Sequence, residues 1–260
     1  MKKIAWVTGM TVLIAALSAA ETRAASFTES GDAGQRLNTA VVIPGSGEAL
    51  DSISGTLSGG ADGADLFQIF LNGGQTFSAT TRNAATAEAV QDVLLGLPTN
   101  VLLDPQLFLF NSTGRGISAN DNYQGSSQAT LISGNTSFSP IESGLYFLAI
   151  SSPGYNPVSS GGEIFTLSSS LDSLNVGATG PGGSLPLTDF AGTVPSPGTI
   201  PTTGNYTISL TGAQAVQAVP EPSSALGILV LGGLGAVSGW KRKKTKLKQA
   251  LTRTWFKQSS

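Results

Sequence analysis

From Leu66 to Leu71 the chain alternates so that Phe67, Ile69 and Leu71 share one face. That period of two is the signature of a strand with one buried side. Asn72-Gly73-Gly74 follows, and Gln75 to Thr81 resumes the alternation with Phe77 and Ala79. Glycine takes positive φ at little cost, so the pattern predicts a β-hairpin. Leu107 to Phe110 is apolar on both faces, as in a strand in the middle of a two-layer core. Asn111 to Gly114 then turns the chain, and Gly116 to Ala119 returns it. Leu145 to Ile150 and Asn205 to Leu210 predict two more dense strands, and Ile53 to Leu57, Thr130 to Ile132 and Ile164 to Ser169 weaker ones. One stretch favours helix: Ala84 to Leu95 is rich in alanine and is stopped by Gly96 and Pro98. Residues 175–203, and more briefly 153–162, are crowded with Gly and Pro, which predicts a surface loop or a disordered insertion. The fold class is therefore all-β: an antiparallel β-sandwich with a short helical insertion.

Two apolar runs do not fit this alternation. Met1-Lys2-Lys3 precedes Ile4 to Leu17, and small residues follow at Ser18-Ala19-Ala20 and again up to Ala24. This order predicts a secretory signal peptide over 1–24, with the Sec export machinery and signal peptidase as partners. The second run, Ser223 to Trp240, has 18 residues. As a helix it would be about 27 Å long, close to the roughly 30 Å hydrocarbon core of a bilayer. Val219-Pro220-Glu221-Pro222 stands before it, and Lys241-Arg242-Lys243-Lys244 stands after it. The apolar run partitions into lipid, the cations stay on the cytoplasmic side, and the Pro-Glu-Pro motif is left at the outer surface. The chain thus divides into a signal peptide, a β domain over 25–212, and a segment over 213–260. That last segment holds a linker, the motif, a membrane helix over 223–240 and a basic tail. An exported protein of the cell envelope or extracellular space is implied, anchored at the inner membrane before any processing.

Charge sharpens this division. The whole chain carries −2, yet Ser26 to Ala218 contains three Arg, no Lys and 14 Asp or Glu, a net −11. A domain so acidic is a poor partner for nucleic acid, whereas divalent cations and neutral sugars suit it. All three tryptophans lie in the terminal segments, which leaves Tyr123, Tyr146, Tyr155 and Tyr206 as candidate sugar platforms. Without Cys there is no disulfide, and without His there is no Ser-His-Asp or Cys-His catalysis and no His-ligated zinc. Carboxylate-only hydrolysis survives these exclusions. Asp62, Asp65, Asp104 and Asp121, with Asn120 and Asn122, fall at strand edges or in turns. Oxygen donors of this kind suit Ca²⁺, in a set joining Asp62 or Asp65 with Asp104 and Asp121. The same residue types also close turns through side-chain-to-backbone hydrogen bonds.

The order of Val219-Pro220-Glu221-Pro222, apolar run and Lys241-Arg242-Lys243-Lys244 resembles the PEP-CTERM sorting signal, which implies an exosortase as partner. Twenty residues follow Trp240, a longer tail than that family's usual few. A second resemblance is carried by Glu29 to Gly34, Ile53 to Leu57, Ala61 to Phe67, Asp104 to Phe110 with Asn120-Asp121-Asn122, Ser143 to Phe147 and Gly204 to Thr207. In this order the motifs are similar to a bacterial pre-peptidase C-terminal (PPC) domain, which implies a non-catalytic, jelly-roll-like β-sandwich. The two resemblances together imply a non-enzymatic surface or matrix protein associated with exopolysaccharide or biofilm. The alternatives are a Ca-dependent polysaccharide-binding module and a carboxylate-based hydrolase.

Overall fold

A computed structural model describes residues 24–60, 62–133, 140–167, 174–193 and 201–217. The expected signal peptide, the sorting motif and the span over 223–240 lie outside these residues, apart from Ala24. Among the described residues no helix is long and apolar enough to cross a membrane.

The elements in the first half are β1 (Ala25–Thr28), β2 (Val41–Val42), β3 (Pro44–Gly45), β4 (Ala49–Leu57), β5 (Ala64–Leu71), β6 (Ser78–Thr80) and α1 (Ala84–Leu94). They are followed by β7 (Gln106–Asn111), β8 (Gly116–Asn120), β9 (Thr130–Ile132) and β10 (Gly144–Ser151). The rest are β11 (Tyr155–Ser159), β12 (Gly162–Glu163), β13 (Asp189–Gly192), β14 (Gly204–Gln214) and β15 (Val216–Gln217).

One layer runs β1-β4-β14-β6-β9 and a second runs β2-β5-β10-β7-β8. Most pairings are antiparallel, while β1 with β4 and β2 with β5 are parallel. Between the layers lies a core built by alternate residues of both: Ile53 and Leu57, Tyr206 and Ile208 from one, Phe67 and Ile69, Leu148 and Ile150 from the other. Among the described residues this is an all-β sandwich with one short helix, as the alternation predicts. The layers join at one corner, where β14 bulges after Ser209 and its Ala213 and Gln214 reach Leu71 and Phe70 of β5. Gly212 makes that bend at φ 74, and a side chain there would strike the Thr76 carbonyl.

The predicted hairpin is corrected. Strands form at Ala64–Leu71 and Ser78–Thr80, but they do not pair with each other. β10 occupies one edge of β5 along its whole length, β2 and the end of β14 also pair with it, and β6 inserts between β14 and β9. Phe67 and Ala79 therefore enter the same core from opposite layers. The Asn111–Gly114 turn does join a hairpin, β7 with β8, and Asn111 Oδ1 accepts from the N–H groups of Thr113 and Arg115 at 3.0 Å.

The described part of the loop expected over 175–203 is mostly irregular backbone, but it contains β13, and the shorter stretch expected over 153–162 contains β11. β12, β11 and β13 form a small sheet of their own, and Leu187 and Phe190 are buried. With Ile164 and Phe165 they cover the outer face of the second layer, packing on Leu66, Phe108, Phe110 and Phe147. Ile164 and Phe165 lie beyond β12 in irregular backbone rather than in the strand expected over 164–169, of which 168 and 169 fall outside the described residues. The two apolar faces of Leu107 to Phe110 have a different cause from the one the pattern suggests. Leu107 and Leu109 enter the sandwich core, while Phe108 and Phe110 enter this second core. Phe108 lies 5.6 Å from Phe165 and 5.8 Å from Phe190, ring centre to ring centre.

The helix forms as predicted. Asn83 caps it: Asn83 Oδ1 accepts from Thr86 N–H at 3.0 Å, and Thr86 Oγ1 accepts from Asn83 N–H at 3.0 Å. That reciprocal pair satisfies donors which a helix start otherwise leaves open.

Candidate functional site

The acidic residues gather where β1 ends beside β4. Glu29, just past β1, is held by its N–H donating to the Ser54 carbonyl at 2.8 Å. Its Oε1 accepts from Ala33 N–H at 2.7 Å, and its Oε2 from Thr56 N–H and the Tyr206 hydroxyl, both at 3.3 Å. Asp32 sits in the following turn between Gly31 and Gly34, both at positive φ, and its Oδ1 accepts from Gly34 N–H at 2.7 Å. Asp65, on the inward face of β5, is fully buried; its Oδ2 accepts from the Tyr206 hydroxyl at 2.6 Å. One ligand oxygen from each of Glu29, Asp32 and Asp65 lies within 4.8 Å of the others. Gly55 of β4 leaves the space, because a side chain there would strike Glu29 Oε2 and the Tyr206 hydroxyl. Asp62 stands nearby in the β4–β5 turn, its Oδ2 accepting from Ser58 N–H at 2.9 Å.

This arrangement is electrostatically unbalanced. Backbone N–H groups and one tyrosine, rather than a cation, supply these hydrogen bonds. Asp65 Oδ1 and Asp62 Oδ1 are buried without a hydrogen-bond partner. Burial pushes the Asp65 carboxyl up to about 8; the Tyr206 hydrogen bond opposes this, and the charges of Glu29, Asp62 and Asp32 add to it. Burial likewise raises Glu29, against the hydrogen bonds from Thr56, Ala33 and Tyr206. Tyr206 is raised well above the ordinary phenol value by burial and by Asp65 beside it. A buried carboxylate without a counter-charge resolves the imbalance by holding a proton or by holding a metal ion. Ca²⁺ takes six to eight oxygens at about 2.3–2.6 Å. Two ligands of one Ca²⁺ are therefore at most about 5 Å apart, a limit these three oxygens meet.

The predicted metal set is divided. Asp65 and Asp62 belong to the cluster around Glu29, while Asp104 and Asp121 form a separate pair, just before β7 and just after β8. Across the second layer Asp65 pairs with Ile150, Ile150 with Leu107, and Leu107 with Asn120. Three strand spacings of about 4.8 Å place Asp65 and Asn120 on the order of 14 Å apart. Burial pushes Asp121 up to about 7, with the Asp104 charge adding and a Gln106 hydrogen bond opposing. Asp104 is also raised by burial. Residue type and turn position mark Asp62 and Asp65; neither marks Glu29 and Asp32 as their partners, because only the parallel docking of β1 on β4 brings them in. Those two residues do fall within the Glu29 to Gly34 motif that supports the PPC resemblance.

The tyrosines are also redistributed. Tyr146 and Tyr206 are buried, and the Tyr146 hydroxyl donates to the Glu142 carbonyl at 2.6 Å. Tyr155 stacks on Phe190 at 6.3 Å. Neither buried ring is a platform for a sugar.

The comparison with curated proteins returned no match. Among solved structures, the pre-peptidase C-terminal domain of collagenase from Bacillus anthracis aligns at 10% identity. That alignment covers 73% of this chain and 97% of that one, with a TM-score of 0.29. The family model for the PEP-CTERM protein-sorting motif matches residues 218–243, spanning Val219-Pro220-Glu221-Pro222, the apolar run and Lys241-Arg242-Lys243. The chain therefore carries a PEP-CTERM protein-sorting motif, the signal of an exported protein sorted through an exosortase.

Proposed function

We propose that this chain is a non-enzymatic surface or matrix protein, exported through Sec, freed of residues 1–24 by signal peptidase, and associated with exopolysaccharide or biofilm. The sorting motif at 218–243 carries this reading. Val219, Pro220, Glu221 and Pro222 are the recognition element, and Lys241, Arg242, Lys243 and Lys244 hold the tail in the cytoplasm until an exosortase acts. A chain without His or Cys has no Ser-His-Asp or Cys-His catalysis, which supports a structural role over catalysis. The test is to delete the exosortase and follow the carboxyl terminus by mass spectrometry. In normal cells the mature protein should lack Lys241 to Ser260, and without the exosortase it should keep them. Mature protein with an intact tail in normal cells overturns the sorting claim.

A Ca-dependent binding module is the second reading, favoured by the unpartnered Asp65 oxygen inside the Glu29–Asp32–Asp65 group. These residues would hold the ion, with Asp62 beside them, and Asp104 and Asp121 would stand apart from it. The ion would neutralise the cluster and fasten the end of β1 to β4 and β5. Calorimetric titration should then give a Ca²⁺ binding heat and a raised melting temperature; neither change appearing removes the reading.

A further inference from the structure

The outer face of the first layer is a lattice of hydroxyl groups. Phe27, Ile53, Tyr206, Ile208, Ala79 and Leu131 point into the core, so the pleat turns their sequence neighbours outward. Strand register then sets those neighbours side by side. One row reads Ser26, Ser52, Ser209, Thr80, Thr130 across all five strands. The next reads Thr28, Ser54, Thr207, and the one beyond it pairs Thr56 with Asn205. Rows are about 6.7 Å apart and strands about 4.8 Å apart. All these side chains are at least partly exposed except Thr130, which is 8% exposed.

Three features separate this face from an ordinary polar surface. Its rows are uncharged, although the region from Ser26 to Ala218 carries 14 acids and a net −11. Its groups are locked to one another: Ser54 Oγ to Thr207 Oγ1 at 2.9 Å, Thr80 Oγ1 to Thr130 Oγ1 at 2.6 Å, and Thr56 Oγ1 to Asn205 Oδ1 at 2.8 Å. Hydroxyls fixed in this way lose little further freedom when a ligand binds. Finally, a groove of about 630 Å³ runs from Thr28, Ser54, Thr56, Asn205 and Thr207 to the carboxylates of Glu29, Asp32 and Asp62.

We propose that this face docks a neutral polysaccharide chain. Charge selects the occupant: an anionic polymer, or a second copy of the acidic domain, is repelled at long range, whereas a polyhydroxylated neutral chain is not. Apolar partners find little, since Ile132 at the far edge is the exposed large hydrophobic side chain on these strands. A sugar chain offers donors and acceptors in the density this face presents, and the groove leads it toward the carboxylate cluster. The inference rests on the matrix reading above and names the polymer class and the surface.

The full chain, in detergent, is run by affinity electrophoresis through gels holding hydroxyethylcellulose, dextran or alginate. Retardation is expected with at least one neutral glucan and not with alginate. Ser54→Ala with Thr207→Val removes a hydroxyl pair at nearly constant shape and should weaken retention about tenfold, as expected for two modest hydrogen bonds. Thr207→Glu places a charge in the middle row and should abolish retention, with an unchanged melting temperature showing that the fold is kept. No retardation by either neutral glucan, equal retardation of wild type and both variants, or preference for alginate overturns the proposal. Binding is read independently of the carboxyl terminus, so its failure alongside normal tail removal sinks this inference and leaves the sorting claim standing.

Discussion

Replacing Asp65 by Asn tests whether the cluster is a buried acid in search of a counter-charge. Asp65 in the folded chain holds its proton up to about pH 8, against an ordinary 3.8. A raised carboxyl pKa stabilises fully below the unfolded value, and that stability drains away as pH climbs through the folded value. Between pH 5 and 7 the unfolded chain has released this proton and the folded chain has not. The loss is about 1.4 kcal/mol per pH unit, or about 2.7 kcal/mol over the interval. For a domain of this size that is a fall in melting temperature of roughly 5–11 °C. An amide in place of the carboxyl stays neutral at every pH and still presents an oxygen to the Tyr206 hydroxyl, so Asp65→Asn should lack this share of the fall. Asp121, pushed up to about 7, contributes equally in both proteins and cancels in the comparison. The assay is thermal unfolding by far-ultraviolet circular dichroism, from pH 5 to 8, in a chelator. An equal fall in wild type and variant would refute the reasoning. With Ca²⁺ added at pH 8 to about a hundred times its dissociation constant, wild type should regain about 2.7 kcal/mol. The variant should regain much less.

Phe108→Ala should cost about 3–5 kcal/mol, because its ring is fully buried against Phe110, Phe165 and Phe190. Limited proteolysis should then open the 153–193 segment before the sandwich; cleavage spread evenly over both would contradict the two-core arrangement. Gly212→Ala should destabilise by about 1–3 kcal/mol, since φ 74 disfavours a side chain and the new Cβ would meet the Thr76 carbonyl. A chemical denaturation midpoint equal to wild type would show that the corner between the layers tolerates rearrangement.

Alternation along the chain is a local property, and it located most of the strands. Asn205 to Leu210 became part of a strand because burying one face of a pleated segment requires every second residue to be apolar, whereas Leu66 to Leu71 and Leu145 to Ile150 became strands that send residues into both cores. The stop at Gly96 was equally local, and so was the turn at Asn111 to Gly114. The sorting signal needs no fold at all: its spelling, its apolar run and its cations act in order along the chain, which is why the sequence alone determined it. Partner choice between strands is not local. β5 and β6 carry an ideal hairpin pattern, yet they lie in opposite layers, with β10, β2 and β14 paired to β5 instead. The same limit hid the second core, whose Phe190 stands in a Gly- and Pro-rich stretch without periodicity and whose Phe165 belongs to a short pattern that names no partner. It also hid the site. Single carboxylates could be read from residue type, but whether Asp65 meets Asp104 or Glu29 depends on which strands lie side by side. Only tertiary structure decided that, by docking β1 in parallel on β4 and so crowding Glu29, Asp32 and Asp65 together.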